Sequence, residues 1–116
     1  MKYPTLLIAS LAIILFSGCA ARTIYSWGKY EDVIYATYSS PGKVPPERQV
    51  EILERDYQKA RSINKPVPPG FHAYLGSLYY QLGKLEMAGQ EFEAEKTEFP
   101  ESAVFMNRLL ANVGKK

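Results

Sequence analysis

Residues 69–102, PGFHAYLGSLYYQLGKLEMAGQEFEAEKTEFPES, decide the fold. Phe71, Leu75, Leu78, Tyr79 and Leu82 recur at helical spacing and predict a helix over 70–82. Gly83 follows, suited to the left-handed conformation that commonly closes a helix. A second helix is predicted over 84–98, with Leu85, Ala88 and Phe92 at i, i+3 and i+7, and Pro100 stops it. A turn this short makes the pair an antiparallel hairpin. Gly76 and Ala88 are small enough to bring its helices close, while Tyr79 and Phe92 fill the space between them.

Upstream, 27–39 reads as a helix with Tyr30, Val33, Ile34, Thr37 and Tyr38 on one face, ended by Ser40-Pro41-Gly42. Pro45 and Pro46 introduce another over 47–64, since proline suits a first helical turn. Its apolar seam is Val50, Leu53, Tyr57 and Ala60. Glu51 and Arg55 add an ion pair at i, i+4. Downstream, a helix from Glu101 or Ser102 is expected to bury Val104 or Phe105, Leu109 and Val113. No alternating strand pattern competes. The expected class is all-α, a short antiparallel helical array.

The hairpin also resembles one tetratricopeptide repeat of 34 residues. Leu75-Gly76 match its Leu-Gly pair, Tyr79 its aromatic site, Gly83 its turn, Ala88 and Phe92 its small and large sites, and Pro100 its exit. His72 stands where Trp is common, and Glu95 where a second Ala is expected. Those departures weaken packing against a following repeat and suit a terminal unit. Pro66 lies one repeat period before Pro100, but Glu54 and Gln58 hold the small and large sites, so that unit is degenerate. In tetratricopeptide proteins the first helix of each pair lines a peptide-binding groove. Carried onto this chain, the groove face is Ala73, Ser77, Tyr80 and Gln81. Packing of Tyr80 onto the preceding helix, through Tyr57 or Val50, is the competing expectation.

The N-terminus carries Lys2, an apolar run over 6–16 and then Phe16-Ser17-Gly18-Cys19. This resembles the lipobox of a bacterial lipoprotein, with Phe16 in place of the usual Leu. The resemblance implies a signal peptide over 1–18, lipid attachment at Cys19, a tether over 19–26 and a helical domain over 27–116. Cleavage elsewhere and a short membrane-spanning helix are the alternatives. A span needs about 20 apolar residues, and this run supplies roughly 14 before Gly18. Ala20 follows the cysteine where Asp would favour inner-membrane retention, so the resemblance implies an outer-membrane anchor facing the periplasm.

Removing 1–18 leaves roughly 98 residues, enough for one modest core. Cys19 is the only cysteine, so no intramolecular disulfide can form. The chain holds 14 Lys+Arg against 12 Asp+Glu, and the signs alternate, which argues against nucleic acid. Nine Tyr and one Trp fit either helix packing or a peptide- or glycan-contacting surface. No enzyme emerges. His72 is the only histidine, has no acidic residue close in sequence, and reads as a surface or packing residue. Glu91, Glu95 and Glu98 read as a solvated helix face. No cofactor or metal set is expected.

The lipobox, the Trp27-Gly28-x-Tyr30-Glu31 motif, the Pro-rich connector and the repeat-like hairpin together resemble, over nearly the whole mature chain, a family of small proteobacterial lipoproteins of unknown function. Members are often encoded beside lipoproteins similar to the curli secretion channel. The resemblance implies a lipid-anchored adaptor or assembly factor for another envelope protein. A structural or pilot subunit of an outer-membrane pore is the alternative, with a peptidoglycan-associated enzyme behind it.

Overall fold

The structure is a computed structural model, and it describes residues 22–115. Five α-helices follow one another: α1 (Tyr30–Ser39), α2 (Pro46–Ser62), α3 (Phe71–Gln81), α4 (Leu85–Glu98) and α5 (Ala103–Val113). A short 3-10 turn, Pro100–Ser102, joins the last two. No strand occurs among the described residues. The chain is all-α, as expected.

The α3–α4 hairpin is the centre of the array. α5 packs on α4, while α2 and then α1 pack on the other side of α3. Gly76 explains the tight hairpin, because a Cβ there would stand 2.6 Å from the Phe92 ring. Ala88 and Phe92 are buried beneath it. Tyr30, Val33, Val50, Leu53, Ala60, Val67, Phe71, Leu75, Leu78, Tyr79 and Met106 complete one core.

Proline and glycine set the boundaries. Pro45 caps α2 and Pro46 opens it, where a missing N–H costs nothing. Gly70 precedes α3 at φ +91°, a left-handed conformation, with the Tyr30 hydroxyl against its α-carbon. α1 begins at Tyr30 rather than Trp27, because residues 27–29 form a turn with Gly28 at φ +51°.

Two apolar assignments differ from expectation. In α5 the buried residue is Met106, while Val104 and Phe105 are exposed and Leu109 and Val113 only partly covered. The 3-10 turn sets the helix phase, so the α4-facing stripe starts later than the apolar pattern implies. In α1, Tyr38 is exposed although Tyr30 and Val33 are buried. Its neighbour Thr37 takes the face that meets Gln49 of α2 and Tyr74 of α3.

Buried polar groups where α1, α2 and α3 meet find partners. Gln49 is buried, donates Nε2 to the Val44 carbonyl at 2.7 Å, and accepts the Tyr74 hydroxyl at 2.6 Å. The Thr37 hydroxyl donates to the Val33 carbonyl at 2.9 Å and lies 2.9 Å from the Tyr74 hydroxyl. This knot ties α1, α2 and α3 together without leaving a buried amide unpaired.

Candidate functional site

The first candidate is chemical. His72 lies in the first turn of α3, 1% exposed. Its Nδ1 is 2.6 Å from Glu91 Oε2, and its Nε2 is 3.5 Å from Glu98 Oε1 without a hydrogen bond. The Tyr57 ring meets it edge-on at 5.2 Å. Burial opposes a charge on the imidazole, but the Glu91 hydrogen bond and the fields of Glu91, Glu98 and Glu95 outweigh it and raise its pKa. Both ring nitrogens therefore face carboxylates, and only Nδ1 makes a hydrogen bond.

Glu95 beside it is buried and works on the backbone. Its Oε1 accepts the Gly70 N–H at 2.6 Å, and its Oε2 accepts the Ala73 N–H at 3.3 Å. These are orphan donors at the start of α3, which has no cap of its own and no acidic residue in its first turn. A carboxylate from α4 thus caps α3 and complements its positive end. The expected solvated face is corrected here: Glu95 is buried, Glu91 is half-buried, and only Glu98 is exposed. Helical spacing shows that three carboxylates share a face. It does not show that the N-terminus of another helix lies opposite.

Tyr79 and Glu54 make the matching contact toward α2. The buried phenol donates to Glu54 Oε1. Burial first, and then the Glu54 hydrogen bond, push the Tyr79 pKa well above its ordinary value. Burial also pushes Tyr30 up to about 12, aided by Glu95. Glu54, in the degenerate repeat unit, thus has its own structural role.

The second candidate is a cleft of about 180 Å³ between α3 and α5, lined by Ser77, Tyr80, Gln81, Phe92, Leu109 and Asn112. The structure brings together three of the four expected groove residues. Ala73 lies a turn back, partly buried, with its carbonyl accepting the Ser77 hydroxyl at 2.8 Å. Tyr80 shares this cleft with Leu109 and Asn112 of α5, and neither Tyr57 nor Val50 of α2 lines it. Leu109 and Asn112 were not expected there, although Leu109 belongs to the apolar period of α5. The volume is below the roughly 300–1,000 Å³ of small-molecule sites.

Among the described residues, no group of three or more His, Cys, Asp and Glu is placed to hold a metal ion. No described helix is long and apolar enough to cross a membrane. Cys19, the signal segment over 1–18 and the start of the tether lie outside the described residues.

Fold and sites together define a small all-α protein with a self-capped central hairpin and a side-chain-sized cleft. The chain belongs to the family described as a domain of unknown function (DUF4810), whose model matches residues 24–109. The match takes in all of α1 to α4 and most of α5. No curated protein and no solved structure matches the chain.

Proposed function

We propose that this chain is a lipid-anchored, periplasm-facing adaptor or assembly factor, attached to the outer membrane through Cys19. It binds another envelope protein through a tetratricopeptide-like helical surface and carries out no catalysis of its own. One observation carries the reading: Ser77, Tyr80 and Gln81, the groove positions of the repeat register, line the α3–α5 cleft with Leu109 and Asn112. An amphipathic aromatic beside amide and hydroxyl groups suits a peptide or helix that inserts one anchoring side chain.

The test is affinity purification of the C-terminally tagged protein from gently solubilised envelopes, with mass spectrometry of what co-elutes. A stoichiometric envelope protein, such as a lipoprotein similar to the curli secretion channel, supports the adaptor. Its loss in the Tyr80→Ala variant, with folding intact, assigns it to the cleft. A pilot subunit of an outer-membrane pore differs in one respect: its role fails when Cys19 is replaced, although it still binds its client in solution. Purification without any partner sinks the adaptor reading and turns the search to glycans and lipids.

A further inference from the structure

Most of the large exposed apolar side chains lie at one end of the array. That end is formed by the C-terminus of α2, the connector to α3, the C-terminus of α4, the start of α5 and residues 22–27. Ser26 N donates to the Pro66 carbonyl at 2.8 Å, and Lys65 Nζ donates to the Thr23 carbonyl at 3.1 Å. Tyr25 meets the Phe99 ring at 6.2 Å, which joins the N-terminal segment to the α4–α5 corner. Of the eight large apolar side chains exposed among the described residues, Ile24, Trp27, Ile63, Val104 and Phe105 lie here. Tyr35 and Tyr38 lie along α1, and Met87 lies in the first turn of α4, at the opposite end.

Cationic groups flank these apolar tips. Arg61 lies 6.0 Å over the Tyr57 ring, Lys65 is held by a backbone carbonyl, and Arg22 is exposed. Glu98 and Glu101 are exposed on the α4–α5 side, so the α2 edge is the cationic one. Aromatic and aliphatic tips beside Arg and Lys are the chemistry of a phospholipid interface, where rings enter the headgroup boundary and cations meet phosphates.

The described chain also begins at this end. Arg22 follows Cys19 by three residues, which span at most about 11 Å. An acyl group on Cys19 would hold this end at the bilayer and leave the α3–α4 turn distant. We infer that this end docks on an anionic phospholipid surface, with Ile24, Trp27, Ile63 and Phe105 at the interface. The docking rests on the acylation of Cys19 put forward above. It has a consequence for the cleft. Tyr80 and Gln81 end α3, and Asn112 nearly ends α5, so the cleft opens at the end facing away from the membrane.

The test uses the full-length protein reconstituted into vesicles of phosphatidylethanolamine and phosphatidylglycerol. Acylation leaves no free thiol, so Phe105→Cys and Met87→Cys variants, both at exposed positions, each carry one nitroxide label. Docking shields the label at position 105 from a water-soluble nickel chelate about five-fold more than the label at position 87. Trp27, the only tryptophan, shifts its emission to the blue at the same time. Equal access at both positions overturns the docking, and equal shielding overturns its end-on orientation. Protection at position 105 that survives replacement of phosphatidylglycerol by phosphatidylcholine overturns the anionic preference. Labelling of the unsubstituted chain separates the two readings. If Cys19 takes the nitroxide, the anchor fails, and protection at position 105, read with Cys19 replaced by Ala so that one label remains, then decides the docking alone.

Discussion

The two sides of the central hairpin are built differently. Toward α2, and where α4 meets the start of α3, buried polar side chains bond across helices: Tyr79 to Glu54, His72 Nδ1 to Glu91, Glu95 to the Gly70 and Ala73 amides. Toward α5 the same helix presents Ser77, Tyr80 and Gln81 to a cleft that remains open. The first side holds the hairpin in place, and the second leaves the cleft on which the proposed partner binding rests. Substitutions on the two sides should therefore separate stability from binding.

The largest loss is expected in the core that both sides share. Leu75 is 2% exposed, so Leu75→Ala should cost about 2–5 kcal/mol in a urea unfolding curve. Filling the hairpin contact comes next. In Gly76→Ala the new Cβ meets the Phe92 ring at 2.6 Å, and the overpacking should cost about 1–3 kcal/mol by the same measurement. A cost near zero would mean that the helices can separate without loss, and the close-approach account would fall.

Loss of the borrowed cap should follow. Glu95→Ala leaves the Gly70 and Ala73 amides without their acceptor and should cost about 1–2 kcal/mol, with hydrogen exchange speeding up first at the start of α3. Uniform exchange across α3 would argue against a local capping role.

The pH dependence is a finer test of the committed side. Folding raises the His72 pKa, so the protonated ring stabilises the fold fully below about 6.5, the unfolded value. That contribution fades as pH climbs from there through the raised folded value. Unfolding midpoints should fall across that window, and His72→Gln should flatten this part of the profile. An unchanged slope in the variant would assign the dependence to another group.

The smallest effect on stability belongs to the open side. Tyr80→Ala removes a half-buried ring from the cleft and should cost less than about 1.5 kcal/mol, well short of Leu75→Ala. If the two variants unfold together, the ring is core and the contrast between the sides disappears.

Local pattern alone located all five helices, since proline, glycine and apolar spacing act within a few residues. It also identified the close approach of Gly76 to Phe92 between α3 and α4, with Ala88 buried, whereas Tyr79, expected in the same contact, commits its phenol to Glu54 of α2. The errors arose where a residue's meaning depends on a distant segment. Val104 and Phe105 are apolar but face outward, because the 3-10 turn rephases α5 and gives the core position to Met106.

The same division separates the sites. From the sequence by itself came the all-α class, the helix boundaries within a few residues and three of the residues that line the cleft. The class and the boundaries follow from backbone preferences and from periodicity along a single helix, and the cleft residues from the resemblance to a tetratricopeptide repeat. Only the tertiary structure placed Glu95 on the amides of α3, enclosed His72 between Glu91 and Glu98, and completed the cleft with Leu109 and Asn112. The physical reason is that a carboxylate reads as solvent-facing until a partner is brought within hydrogen-bond distance. That partner lies 22 to 25 residues away along the chain for Glu95, and the packing of α3 on α4 brings the two together.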